Sequence, residues 1–237
     1  MKQTVELETI AYIHTDFPSK FGIPRQSGLV NTKGTIVFEP EFQQAEALRG
    51  IEAYSHLWLI WGFSDHYGKK WHPTVRPPRL GGNERMGVFA TRSPFRPNSL
   101  GLSCVQLLQV EKTKNHGWVL HVQGADLKDG TPIYDVKPYL PYVDAHPEAT
   151  GGFAHEKKSY QLQVEIPENL NEKLSEEQQE TLREILAQDP RPSYQEDSER
   201  IYGMEYADME VRFQVTQGTV VVCEIDRKYK ERKEWNL

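Results

Sequence analysis

The run His56-Leu-Trp-Leu-Ile-Trp-Gly-Phe63 constrains the fold more than any other stretch. Leu57 to Phe63 is the longest apolar run, far short of the roughly 20 residues a helix needs to span a bilayer. Its aromatic and branched residues, flanked by turn formers, predict a central strand buried on both faces. Such a strand needs neighbours, and the flanking sequence offers them. Val5–Thr15 alternates imperfectly through Val5, Leu7, Ile10, Tyr12 and Ile13, and Thr35–Phe38, Met86–Ala90, Leu102–Val110 and Gly117–Gly124 read as short strands. The last two pair across Lys112–His116, and Phe42–Gly50 predicts a helix closed by Gly50. Short strands, turn-rich links and no alternating helices predict an antiparallel barrel or closed sheet.

The pattern changes near Ala145. His146–Lys158 is polar and Gly-rich, which suits a linker, and Ser159–Ile166 alternates as a half-exposed strand would. Ser175-Glu-Glu-Gln178 is a capping box; Leu182, Ile185 and Leu186 supply the helix's apolar stripe, and Asp189-Pro-Arg-Pro192 ends it. Val211–Val215 and Thr219–Ile225 form a hairpin around Gln217-Gly218, and the basic tail Arg227–Lys233 reads as a solvated end. The expected plan is mainly β with a smaller α+β part: an antiparallel β-barrel over residues 5–145, then a small C-terminal α+β domain over 159–237.

Charge is unevenly placed. Between His66 and Arg96 stand Lys69, Lys70, Arg76, Arg79, Arg85, Arg92 and Arg96 against the single acid Glu84. That window carries +6 in a chain of net charge −6, so the remainder carries −12. Proline and glycine hold these arginines on stiff, turned backbone, where guanidinium forks suit phosphate or carboxylate. Met86–Ala90 between them reads as buried. An acidic total argues against indiscriminate nucleic-acid binding but allows one basic face.

Several classes find no support. The eight histidines lack zinc-motif spacing, so no metal is expected, and His56 reads as a core residue. There is no Gly-x-Ser-x-Gly elbow, P-loop or Gly-x-Gly-x-x-Gly. Cys104 and Cys223 form no framework, and buried free thiols in a reducing cytoplasm are the expectation. The opening MKQTVELETI is not an apolar leader, so neither export nor membrane insertion is expected.

A second rich stretch runs from Gly124 to Pro141. Asp126, Asp129 and Asp135 put three carboxylates within ten residues, and Lys137, two past Asp135, shares its face on an extended segment. The pair suits either a polar ligand or an ordinary surface ion pair, and spacing leaves both open.

Arg92-Ser-Pro-Phe-Arg-Pro-Asn-Ser-Leu-Gly-Leu-Ser103 and Asp126-Leu-Lys-Asp-Gly-Thr-Pro-Ile-Tyr-Asp-Val-Lys-Pro-Tyr139 resemble the signatures of the TrmO (YaeB or TsaA-like) family of tRNA methyltransferases. Gly22-Ile-Pro-Arg-Gln26, the strand His56–Phe63 and Asp189-Pro-Arg-Pro-Ser-Tyr194 match as well, so the resemblance covers nearly the whole chain. It implies a cytoplasmic homodimer with a TsaA-like barrel that binds S-adenosyl-L-methionine and carries out catalysis. The implied reaction methylates the exocyclic N6 nitrogen of threonylcarbamoyladenosine, just 3′ of the anticodon in threonine tRNA. Carried over, the cofactor pocket comprises Pro24, Arg25, Gln26, Ser64, Asp65, Arg92, Leu102, Asp126, Leu127, Lys128 and Asp129. Ser64 stands where many relatives have histidine.

The substrate's carboxylate and flanking phosphates suit the basic window, with Arg76, Arg79, Arg96 and Lys137 as tRNA contacts. Trp71 and His72 are candidates for stacking on an anticodon-loop base, with core packing an equal alternative for Trp71. The nucleophile is a urea-like nitrogen that must shed a proton, and Asp135 or Tyr139 is the expected assistant. Two other readings compete: a non-catalytic RNA-binding β-barrel, and a metal-dependent hydrolase, for which histidine spacing is poor.

Overall fold

The computed structural model describes residues 3–77, 84–153, 160–191 and 197–228. Arg79, Ser159, Pro192–Tyr194, the later part of the expected linker and nearly all of the basic tail lie outside the described residues. The first part of the chain contains β1 (Ala11–Thr15), β2 (Lys33–Phe38), β3 (His56–Gly62), β4 (Thr74–Val75), β5 (Met86–Gly87), β6 (Leu100–Thr113), β7 (Gly117–Gln123) and β8 (Thr131–Pro138). Six of them close an antiparallel barrel in the order β1-β2-β7-β6-β3-β8, with β8 returning to β1. Closure leaves no free edge. Ile13, Ile36, Leu57, Leu59, Val105, Leu120, Val122 and Ile133 fill the interior, each burial contributing about 1.5–3 kcal/mol.

The expected barrel is present, but its strands differ in detail. The first strand is only Ala11–Thr15; Val5 and Leu7 are exposed, and Ile10 adds one further bond to Ile133. The central strand is buried on one face, not two: Leu57, Leu59 and Trp61 point inward, while Trp58 and Ile60 are half-buried on the outside. A barrel strand has only one inside, so apolar outer residues must find other cover. His56 is exposed, not core, with Nδ1 3.0 Å from Ser55 Oγ. Met86–Ala90 is not a barrel strand: β5 pairs only with β4, and a tight turn follows in which Val88 is buried and Phe89 is 74% exposed. The sixth barrel strand is β8, drawn from the carboxylate-rich motif.

In place of a helix over Phe42–Gly50 there are single turns, Pro40–Phe42 and α1 (Ala45–Leu48). Gly50, at φ 89°, opens a further turn. Neither cysteine is buried: Cys104 is half-buried on the barrel's outer face and Cys223 is exposed.

After the turn α2 (Pro141–Asp144), the C-terminal part comprises β9 (Gln163–Glu165), α3 (Glu168–Asn171), α4 (Glu176–Ala187), β10 (Tyr202–Tyr206), β11 (Met209–Thr216) and β12 (Thr219–Arg227). The sheet order is β10-β11-β12-β9, with β9 parallel to β12. Both halves of the capping box form: Gln178 N donates to Ser175 Oγ and Ser175 N donates to Gln178 Oε1. Leu182, Ile185 and Leu186 are all buried. Gln217 and Gly218, both at positive φ, make the tight turn between β11 and β12.

The C-terminal core recruits part of the loop between β1 and β2. Phe17 and Val30 are buried in it, with Phe21 and Ile23 packed against it. Ala207 N donates to Asp16 O (2.8 Å), and Asn31 N donates to Glu184 Oε2 (2.8 Å). The loop carrying Pro24-Arg-Gln26 is thereby clamped between barrel and sheet.

Candidate functional site

A cavity of about 700 Å³ opens at one end of the barrel. Its walls are the β1–β2 loop, the end of β3 and the turn after it, the Thr91–Arg96 loop, the start of β6, and the segment between β7 and β8. Two strand glycines let these walls approach. A Cβ on Gly101 would lie 2.2 Å from the Trp61 ring, and one on Gly62 would lie 1.6 Å from the Tyr67 hydroxyl, which meets the Tyr134 hydroxyl there. Burial and then the Tyr134 bond push the Tyr67 phenol's pKa upward.

Of the eleven residues assigned to cofactor binding, Pro24, Arg25, Gln26, Ser64, Asp65, Arg92, Leu102, Asp126 and Lys128 line this cavity. Leu127 and Asp129 do not; they fix the turn. Leu127 is buried in the barrel, and its carbonyl accepts from Thr15 Oγ1 (3.0 Å). Asp129 Oδ1 accepts from Thr15 N (3.1 Å) and lies 3.2 Å from His14 Nδ1. Arg25 Nη2 donates to the carbonyls of Asp189 (2.8 Å) and Arg191 (3.3 Å), so the segment closing α4 reaches the cavity wall. Arg92 Nη1 donates to Gln26 Oε1.

Arg96 lines the same cavity and folds its own loop, donating to the Thr91 carbonyl (2.9 Å). Arg76 is exposed and does not line it. Trp71 is partly exposed, and His72 packs edge-on against Phe95. Asp135 and Lys137 do share a face and pair at 2.8 Å, beyond the cavity wall; Asp135 sits across from Ile60, which lines it. Tyr139 packs with its ring tilted against Trp58 and His56, also outside the wall.

Three titratable groups of the cavity live in contrasting surroundings. Asp65, near the surface, is held by Lys128 (3.1 and 3.2 Å) and Lys20 (3.2 Å). Those bonds, Lys128's first, pull its carboxyl below the ordinary range. Asp126 lines the cavity half-buried, and burial pushes its carboxyl up. Bonds from Ser103 and from the main chain of Asp126 and Ser27, with the nearby Arg92 charge, oppose that rise. Ser103 Oγ donates to Asp126 Oδ1 (2.5 Å) and accepts from Trp61 Nε1 (2.9 Å). His66 is 9% exposed and its Nδ1 is buried without a hydrogen-bond partner; burial, then Lys20 and Lys69, hold its pKa down.

Trp61, Ser103 and His66 were missed as site residues by sequence reasoning. Ser103, a polar residue facing inward from a strand, was the available signal. Among the described residues, no group of histidines, cysteines and carboxylates could hold a metal ion, and no helix is long and apolar enough to cross a membrane.

The comparisons agree with this architecture. Residues 12–145 match the tRNA-methyltransferase O N-terminal domain and residues 159–228 the TrmO C-terminal domain. The chain is 42% identical over 222 residues to an Escherichia coli (strain K12) protein named tRNA (adenine(37)-N6)-methyltransferase, covering 90% of this chain and 94% of that one. A Pseudomonas aeruginosa protein, provisionally named an S-adenosylmethionine-dependent methyltransferase, is 41% identical over 219 residues, covering 89% and 92%. A crystal structure of TrmO from P. aeruginosa superposes with a TM-score of 0.76 at 34% identity, covering 96% of this chain and 99% of that one. With both matched regions together spanning most of its length, this chain belongs to the TrmO family.

Proposed function

We propose that this chain is an S-adenosyl-L-methionine-dependent tRNA methyltransferase that modifies the N6 nitrogen of threonylcarbamoyladenosine beside the anticodon of threonine tRNA. One observation carries the reading: the barrel's cavity joins apolar walls to two differently tuned carboxylates, with arginines of the basic loop in its rim. The donor set suits the cofactor. Ile60, Trp61, Phe63 and Leu102 offer apolar surface for an adenine; Asp65 suits an ammonium; Arg25 and Arg92 suit a carboxylate. When bound, S-adenosyl-L-methionine supplies an electrophilic methyl group. The chain's own residues position the acceptor nitrogen, exclude water and remove a proton, and positioning alone can supply on the order of 7–11 kcal/mol of a barrier in the best cases.

Arg96 in the wall, with Arg76 and Lys137 further out, provides cations for the threonyl carboxylate and anticodon-loop phosphates. Residues 5–145 form the catalytic unit in this reading, and residues 159–237 the supporting domain. The exposed Leu108, Tyr142 and Val143 are surface that a homodimer would cover, and sedimentation would read the oligomeric state. A cytoplasmic location follows from the tRNA substrate. A pure RNA-binding module has no use for two differently tuned carboxylates lining a cavity of about 700 Å³.

The test is calorimetric titration with S-adenosyl-L-methionine and its demethylated product, then labelled methyl transfer to tRNA with or without the threonylcarbamoyl group. Transfer confined to the modified tRNA is expected. Absence of binding to either ligand would leave the RNA-binding module as the better account.

A further inference from the structure

We propose that Asp126 is the catalytic base of the methyl-transfer step, taking the N6 proton of the bound nucleoside while Ser103 and Trp61 hold its carboxylate in place. The inference rests on the reading above and adds the group that reading leaves open.

The acceptor nitrogen lies between an adenine ring and a carbamoyl carbonyl, so its lone pair is delocalised and its hydrogen must leave as the new bond forms. The described ionisable groups lining the cavity are Lys20, Arg25, Asp65, His66, Arg92, Arg96, Asp126 and Lys128. The five lysines and arginines, cationic at neutral pH, can accept nothing. Asp65 is spoken for by two ammonium groups at 3.1–3.2 Å and is correspondingly a weak base. His66 is neutral, but protonation would give both ring nitrogens a hydrogen, and the buried Nδ1 has no acceptor for one.

Asp126 differs on each count. It lines the cavity half-buried, no ammonium group among the described residues bonds it, and its burial makes it a stronger base than a carboxylate in water. The groups that bond or face it are Ser103 on β6, Trp61 on β3 behind it, the main chain of Asp126 and Ser27, and Arg92 through space. The Trp61–Ser103–Asp126 chain leaves the serine hydroxyl one direction to point, which fixes the carboxylate's rotamer. An inward serine at the end of an otherwise apolar strand face is otherwise an unneeded polar burial.

The step balances. The N6–H bond breaks and its electron pair forms the bond to the transferred methyl. The methyl's bond to the donor sulfur breaks with the pair remaining on sulfur, so a sulfonium becomes a neutral thioether. The proton passes to Asp126, turning a carboxylate into a carboxylic acid, and then leaves to water. One positive and one negative charge vanish together in a site that solvates both poorly.

Asp126→Asn in the full-length protein tests the role against plain cofactor binding. Turnover on threonylcarbamoylated tRNA should fall about 10²–10⁴-fold, while calorimetric affinity for the demethylated cofactor is retained. The thermal midpoint at neutral pH should not fall, because a buried charge is removed. Ser103→Ala supplies an independent readout: losing a donor that stabilises the carboxylate should move the acid limb of the pH–rate profile to higher pH. Affinity lost in step with turnover would make Asp126 a cofactor ligand only. Retained turnover, or a larger loss for Asp135→Asn, would remove the assignment. A wild-type protein that binds cofactor yet methylates no tRNA would sink the functional reading itself, an outcome visible before any variant is made.

Discussion

The barrel and the C-terminal sheet each bury an apolar interior, but they end differently. The sheet keeps its order apart from one register shift between Arg212 and Phe213: β11 alternates in and out along its length, a two-residue turn joins it to β12, and a capped helix covers the core with Leu182, Ile185 and Leu186. The barrel carries two register shifts, one between Ile60 and Trp61 beside the cavity and one between Leu107 and Gln109 on β6. At the cavity end its strands carry glycines and an inward serine, and the segment between β7 and β8 adds a half-buried aspartate; strand glycines and buried polar groups each weaken a sheet when taken alone. Irregularity is concentrated where ligands go, and the regular sheet serves as the abutment for the loop that carries Pro24-Arg-Gln26.

The sharpest way to break that comparison is to damage the sheet and ask whether the cavity notices. Phe213 is fully buried, stacked on Tyr202 at 5.6 Å and on Phe21 of the β1–β2 loop at 6.3 Å. Phe213→Ala should cost about 3–5 kcal/mol, read as a lower urea midpoint. Because Phe17 and Val30 share that core, cofactor affinity should fall as well. Affinity at the wild-type level would mean the loop holds its shape without the sheet.

Gly101→Ala attacks the opposite end. The new methyl would lie 2.2 Å from the Trp61 ring, so the indole must tilt and release Ser103. Overpacking of this kind costs about 1–3 kcal/mol, less than Phe213→Ala, yet cofactor affinity should drop further than stability does. A variant that loses stability but binds normally would show that Trp61 does not set the cavity floor.

The same contrast explains what was legible in the sequence. The capping box, the Gln217-Gly218 turn and the apolar stripe of α4 depend on residues a few positions apart, and all three formed as read. Barrel closure also followed, from short strands without helices. The errors fall where distant contacts decide. Thr131–Pro138 looked like a motif and became a barrel strand, because β1 and β3 offered edges on both sides. Phe89 looked buried, yet a two-residue strand followed by a tight turn left Val88 to fill the space beneath. Trp61, Ser103 and Asp126 span 65 residues, and nothing local announces that three strand ends meet there.

A smaller effect separates cavity from sheet by pH. His66 is held neutral in the fold, so below the ordinary histidine value of about 6.5 the unfolded chain binds more protons than the native one. Its contribution is therefore complete above that value and lost as pH falls through the window beneath it. His66→Gln should flatten the decline in urea midpoint between pH 7.5 and the low fives. An unchanged slope would assign the acid sensitivity to groups elsewhere.

Ser175→Ala is the mildest probe and isolates the sheet side. It removes one of the two reciprocal bonds at the start of α4 without touching the apolar stripe. The cost of losing such a cap is about 1 kcal/mol. Glu184 sits on the same helix and accepts from Asn31 N at the end of the β1–β2 loop, so fraying of α4 has a direct route to the clamp. Frayed ends reach only the first turn, however, and Glu184 lies more than two turns in. Stability should therefore fall while cofactor affinity stays at the wild-type level. A matching loss of affinity would mean that the helix acts as one rigid strut from its cap to the loop, coupling the regular part of the molecule to the irregular one more tightly than the packing alone requires.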